Sequence, residues 1–467
     1  MKYKYIIPII ISFFFFSCEK ELDITPETEV GSDNFFESFS DIEQIVSGAY
    51  NGLQSDGLYG FNIPFLGELR SDNSYEEALS NNDGTYGQID VFDLSPINPV
   101  LDTTWKDAYI CIQQCNIVLN RIETIPEADQ DLKNSRTGEV LFIRALTYFN
   151  LVRLFGDVPL VTIETTDTNV FFGQGRTAAS EVYNQIIKDL TEAISKLPAT
   201  QSQAGRVTNG AASALLGKVY LTLRNYPEAI ANLNNVSGYS LLPNYADIFD
   251  IENENNAESI FEVQFKRGVN NAEEGSPYAT LFRVSGTVPE ARGNNHPTQD
   301  LYNAFEAGDV RRDASIAEEQ GVRYTLKYID PGMTVPRDGE NNLIVIRYAD
   351  VVLMLAEALN EQEYQPNGQA FDLLNQIRNR AGLASLDQTD LPDKESFRIH
   401  IANERRVELN LENHRWFDLV RTGKAVETMN AHNSESGNFT IDSNKLLYPI
   451  PQSQINTDNS ITQNTGY

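Results

Sequence analysis

Cysteine is scarce in this chain of 467 residues: Cys18, Cys111 and Cys115 are its three copies, too few for a disulfide framework. Cys111 and Cys115 share a helix face at a spacing of four. No His or Cys pair accompanies them, so two small buried residues are expected there rather than a metal site. Histidine is nearly as rare. None of His296, His400, His414 and His432 sits in a His-Glu-x-x-His pattern, and neither a Gly-x-Ser-x-Gly elbow nor a phosphate-binding Gly-rich loop occurs. Hydrolase and nucleotide chemistry thereby lose their usual anchors, and no cofactor is called for. Cations are outnumbered, 36 Lys plus Arg against 66 Asp plus Glu, and the formal charge of −30 repels nucleic-acid phosphates. After the first eighteen residues no window approaches eighteen apolar residues, so no transmembrane helix is expected. Aromatic side chains, by contrast, are abundant. With 24 Phe, 21 Tyr and 41% apolar residues the chain is of the folded class, large enough for one elaborated domain or two to three smaller ones.

The first segment has its own chemistry. Lys2 and Lys4 precede Tyr5 to Phe16, apolar except for Ser12, and at 1.5 Å per residue that run reaches about 18 Å, short of a ~30 Å hydrocarbon core. Residues 1–17 read as a secretory signal. Cys18, directly after the small Ser17, looks like a bacterial lipoprotein processing site, which makes it the acylated N-terminus of the mature protein. Residues 18–33 form a leader whose Glu19-Lys20-Glu21-Leu22-Asp23 resembles the surface-export signals of Bacteroidetes lipoproteins. The expected location is the outer membrane, lipid-anchored and facing the medium. Loss of Lys2 and Lys4 leaves 34 − 66 = −32, so acyl chains rather than electrostatics would hold the protein there.

Helical periodicity organises much of the remainder. Apolar recurrence predicts helices over Asn34–Leu53, Trp105–Ile122, Gly138–Phe155 and Ala178–Leu197, each with one buried stripe. In Ala211–Val236, the positions Leu216, Gly217, Tyr220, Tyr226, Ala229, Leu233 and Val236 fall at the spacing of a tetratricopeptide-type hairpin, with Pro227 near a first-turn position. A second copy runs from Tyr348 to Ile377. The expected fold is therefore mostly α, built from tetratricopeptide-like hairpins, with a large irregular loop-built subdomain. Residues 57–100 and 236–345 are the loop-rich insertions, with strand-like pieces at Ser259–Phe265 and Tyr324–Tyr328. Lys394–Arg421 reads as one last long helix. Its alternating charges, Glu404 to Arg421, are expected to form a structural ion-pair network, in which Glu404 and Glu408 repel unless arginines bridge them.

Two loop segments carry the residues that suit a ligand. A sugar presents apolar C–H faces and many hydroxyls, so its site needs flat rings for stacking and Asn, Asp or Arg for paired hydrogen bonds. Asp72, Asn73, Tyr75 and Tyr86 supply these in the first segment. Tyr278, Phe282, Arg283, Arg292 and Asn294 supply them in the second. Both segments lack Trp, leaving Tyr and Phe as platforms. Asn81, Asp83 and Asp90 around Gly84 could cradle Ca²⁺, but their spacing is not that of an EF-hand, and no metal site is assigned. Carboxylates are too plentiful to single out a glycosidase pair.

Several stretches resemble the SusD/RagB family of nutrient-binding lipoproteins. They are Glu68-Leu-Arg-Ser-Asp72-Asn73, Ile143 to Pro159, Arg347-Tyr-Ala-Asp350 with Leu355 to Leu359, Ile377 to Gly382, Glu404 to Gly423 and Tyr448-Pro-Ile-Pro451. The resemblance implies one domain over 34–467, a tetratricopeptide-like α fold, and an anchor at Cys18. It also implies non-catalytic capture of oligosaccharides for a SusC-like TonB-dependent outer-membrane transporter. Capture of oligopeptides or another non-sugar nutrient is the alternative; a surface glycosidase is a further one.

Overall fold

The computed structural model describes residues 38–80, 84–125, 129–270, 274–432 and 439–467. The signal, the leader with Cys18, and Asn81 and Asp83 lie outside the described residues. Helix α1 (Phe39–Leu53) opens with a capping box, Ser38 and Asp41 each satisfying the other's backbone N–H, and buries Ile42, Val46, Ala49 and Leu53. Two short elements follow, α2 (Asn62–Glu68) and α3 (Gly87–Asp90), so the region 57–100, read from sequence as loop, contains buried helical turns. Local punctuation by Gly, Asn and Pro hides them, because burial on every side of α2 leaves no alternating face to detect.

The scaffold is a succession of antiparallel helices. α4 (Pro99–Arg121), α5 (Gln130–Phe155) and α6 (Ala179–Lys196) pack in sequence order. Between the last two, Arg144 makes a buried two-pronged contact with Asp189 at 2.8 and 2.7 Å. α7 (Asn209–Thr222) and α8 (Tyr226–Asn234) form the hairpin that the 211–236 spacing predicts. Gly217 makes the close crossing possible, since a Cβ there would stand 2.6 Å from the Leu233 side chain. The second copy is α12 (Tyr348–Gln362) with α13 (Gln369–Arg380), and α12 packs against α8, which joins the two repeats into one stack.

The chain between the repeats is irregular, with α9 (Tyr278–Leu281), α10 (Gln299–Ala304) and α11 (Val310–Ser315). Three antiparallel ribbons brace it: β1 (Ser74–Tyr75) with β3 (His296–Pro297), β2 (Ser259–Val263) with β6 (Leu343–Arg347), and β4 (Ile316–Glu319) with β5 (Val322–Thr325). β2 falls within the strand-like piece 259–265, whereas β5 shares only Tyr324 and Thr325 with the piece 324–328, whose remainder turns; the β2–β6 pairing is bulged near Phe261.

The expectation of one helix over Lys394–Arg421 is corrected. α14 (Lys394–Glu408) stops, residues 409–414 turn, and α15 (Arg415–Thr422) begins; α16 (Ala425–Ala431) and α17 (Gln452–Thr457) follow. Leu411 and Asn413 adopt left-handed backbone conformations, and their N–H groups donate to the Glu68 carboxylate at 3.0 and 3.1 Å. The turn is thus fixed by a residue far away in sequence.

The ion-pair network predicted for this region is present and is buried. Arg311 Nη1 bridges Glu404 (2.6 Å) and Glu408 (3.0 Å), relieving their repulsion from outside the helix. Arg347 reaches Glu258, Glu408 and Glu412 at 2.8, 2.6 and 2.7 Å, while Arg405 joins Asp350 to Asp418. Burial pushes the Glu408 carboxyl up, but Arg380, Arg347 and Arg311 together hold it well below the usual range.

Candidate functional site

The β1–β3 ribbon brings together the two segments that the sequence singles out. Ser74 pairs with Pro297 and Tyr75 with His296, and Glu77 N–H donates to the Gly293 carbonyl at 3.2 Å. Phe65 and Phe282 meet edge to face at 5.7 Å, so rings from both segments share one floor.

Several of the sequence candidates lie in that floor rather than on the surface. Tyr278 is 0% exposed; its hydroxyl donates to the Tyr59 carbonyl and its ring packs on Phe282 (5.2 Å) and Tyr328 (5.4 Å). A ring covered on both faces offers none to a ligand, so the reading of Tyr278 as a stacking platform is corrected to a core residue, and Phe282 likewise. Asp72 receives two parallel bonds from Arg415, at 2.7 and 2.9 Å, and a third cationic contact from Arg406 at 3.0 Å. Burial would raise its carboxyl, but these two guanidiniums override it and hold it far below the ordinary range. Asn73 donates to Glu68 and accepts from Arg406, both at 2.8 Å, and Asn294 donates to Glu76 at 2.8 Å. Asp72, Asn73 and Asn294 are enclosed by these partners and position the loops above them.

Four candidates remain at or next to the surface. Tyr75 is half-buried, with its ring 5.8 Å from that of His296. Tyr86 stacks on Phe65 at 4.9 Å and 25°, with an enclosed ring and a hydroxyl that makes no hydrogen bond within the described chain. Arg283 pairs with Glu319 at 2.7 Å and lies 4.9 Å over the Tyr324 ring. Arg292 is half-buried, and its charge reaches Tyr86. Sequence reasoning missed Tyr302 and Tyr324, half-buried rings on α10 and β5 that carry Arg312, Arg323 and Arg283 against their faces at 5.1, 5.6 and 4.9 Å. The signal was present in Tyr324 at the start of a strand-like piece with Arg323 just before it, but nothing local ties them to Arg283.

Beneath the surface, burial pushes the Glu76 carboxyl up to about 8, with Asp90 and Glu77 adding to the rise, against the hydrogen bond from Asn294. Asp90 accepts from the Glu76 N–H at 3.0 Å. A separate trio, Glu306, His400 and Glu404, converges as metal ligands would, but Arg378 Nη1 already occupies the centre, at 2.6 Å from Glu306 and 3.3 Å from each of the other two. A cation of the protein's own thus fills that position.

Stacked helical hairpins that carry a loop-built surface of rings and guanidiniums define a binding scaffold. The comparisons with known proteins agree with that class. A model of the SusD family matches residues 312–467, and one described as starch-binding, associating with the outer membrane, matches residues 21–221. The chain belongs to the SusD family. It is 27% identical to SusD-like protein P2 of Formosa agariphila over 96% of either chain. Among solved structures, a laminarin-binding SusD-like protein is 29% identical, covered over its full length by 92% of this chain, with a TM-score of 0.79. A SusD superfamily protein from Parabacteroides distasonis is 27% identical, with a TM-score of 0.80 over 92% of this chain and 99% of that one.

Proposed function

We propose that residues 34–467 act as one non-catalytic glycan-binding domain, held at the outer face of the outer membrane through Cys18, that hands oligosaccharide to a SusC-like TonB-dependent transporter. The observation that carries the reading is the convergence of two distant loop segments with β5 on one surface, where Tyr75, Tyr324, Arg283 and Arg292 are half-buried. Rings give sugar C–H faces a platform, and guanidiniums give paired donors to hydroxyls. The 29% identical laminarin-binding relative supports a glycan as cargo. The buried α14 carboxylates Glu404 and Glu408 are closed in ion pairs with Arg311, Arg347, Arg378 and Arg380, which supports a structural rather than a catalytic role for that cluster.

An array of immobilised glycans and peptides tests this directly. Retention of the mature chain on a glycan without release of product is the expected result. Binding confined to peptides would transfer the site to oligopeptide capture, and product release abolished by mutating one carboxylate would make the protein a glycosidase. Anchoring is checked separately: Cys18→Ala should lose labelled acyl chain and leave the outer-membrane fraction, and the unmodified protein should co-purify with a large β-barrel.

A further inference from the structure

The glycan reading leaves the charge of the sugar open, and one side chain bears on it. Among the described residues, Arg292 is the arginine left without a hydrogen bond or ion pair. This is unusual in a chain of formal charge −30, where the other guanidiniums are paired or hydrogen-bonded, often in twos and threes. The carboxylates of the surrounding loop segments, Glu76, Glu77, Asp90 and Glu290, are each committed elsewhere. Glu76 accepts from Asn294, and Asp90 accepts from the Glu76 N–H. Glu77 accepts from the Ser285 N–H at 3.1 Å and lies 3.3 Å from His296 Nε2. Glu290 pairs with Arg337 at 3.4 Å.

The backbone that presents Arg292 is pinned on both sides. Gly293 has φ +71, its N–H donates to the Arg283 carbonyl at 3.0 Å and its carbonyl accepts from Glu77 N–H. A Cβ at Gly293 would collide with the Glu77 carboxylate, so only glycine allows the strand edge and the loop to approach this closely. Within electrostatic reach of the guanidinium is the Tyr86 hydroxyl, which makes no hydrogen bond within the described chain and sits on a ring locked against Phe65 and Phe61. A half-buried guanidinium fork and a hydroxyl on a fixed ring, neither with a partner in the described chain, are the donor types that a planar or tetrahedral oxyanion takes.

We propose that Arg292 and Tyr86 form a subsite for an acidic sugar, the guanidinium pairing with a uronate carboxylate or a sulfate ester while the Tyr86 hydroxyl donates to the same group. This rests on the glycan reading above and adds the substrate class. The overall charge of the chain repels free anions at long range, and salt screens that field, so discrimination arises from contact at Arg292.

The test titrates the mature chain with three probes: an oligogalacturonate for the carboxylate, a carrageenan oligosaccharide for the sulfate, and laminarihexaose as the neutral control. At least one acidic probe should bind about tenfold or more tighter than laminarihexaose, and which of the two binds identifies the anion. Arg292→Gln should lose about tenfold or more of that affinity, Arg292→Lys should keep part of it, and Tyr86→Phe should lose a few-fold. Since Arg292 makes no bond within the described chain, Arg292→Gln should melt with the parent, so loss of folding does not obscure the result. Preference for laminarihexaose over both acidic probes overturns the proposal and leaves glycan binding intact. Acidic binding unchanged by Arg292→Gln overturns the assignment of the subsite. Failure of every glycan on the array overturns both readings together.

Discussion

Arg415 grips Asp72 with two nearly parallel hydrogen bonds, at 2.7 and 2.9 Å, and so fastens the loop after α2 to the first turn of α15. Asp72→Asn would leave Arg415 and Arg406 buried around a neutral amide, an arrangement that costs about 3 kcal/mol or more. The fold depresses this carboxyl, so the unfolded chain binds more protons below about pH 4, and the stability contributed by the pair is present above that value and lost as pH falls through it. Urea titrations between pH 2.5 and 7 check this: the variant should be weaker at pH 7 and should show a shallower acid limb. An unchanged acid limb would remove Asp72 from the account.

Glu76 behaves in the opposite sense. Burial holds its proton up to about pH 8, against an ordinary value of 4.5, so the folded chain binds more protons between these limits and stability declines as pH rises across them. Glu76→Gln should flatten that decline and exceed the parent by about 1 to 2 kcal/mol at pH 8.5. Thermal melts at pH 5, 7 and 8.5 would reveal parallel curves if the carboxyl were ionised throughout.

Tyr278→Ala should cost about 3 to 5 kcal/mol, the range for removal of a fully enclosed ring. Tyr278→Phe removes only the bond to the Tyr59 carbonyl and should cost about 1 kcal/mol. Denaturant midpoints distinguish this from a ring on the surface, for which both changes would be nearly silent.

Tyr75→Ala and Tyr324→Ala should weaken binding of the best glycan on the array by about 1 to 2 kcal/mol with little change in melting temperature. Calorimetric titration of each variant measures this, and unchanged affinity in both would move the site away from the β1–β3 and β4–β5 ribbons.

The helical scaffold was legible because its information is local. Leu216, Gly217, Tyr220 and Ala229 already describe the α7–α8 crossing at a spacing of three and four, and the same arithmetic recurs in α12 and α13. The candidate site was legible only in outline. Composition located both loop segments, but whether a tyrosine stacks on a ligand or seals a floor depends on partners far away in sequence, as Tyr278 depends on Tyr59 and Tyr328. The break between α14 and α15 was missed for the same reason: Asn410 and Asn413 hint at a turn, yet the group that holds it is Glu68. Arg144 with Asp189 shows that even a regular helix can hide its main polar contact from its own periodicity.

The ribbon between Ser74–Tyr75 and His296–Pro297 also sets when this protein becomes competent. Its strands come from opposite halves of the chain, so no N-terminal fragment, however well its helices form, has the surface that they build. The surface is therefore a property of the finished polypeptide: it exists only once the later half has docked on the earlier one.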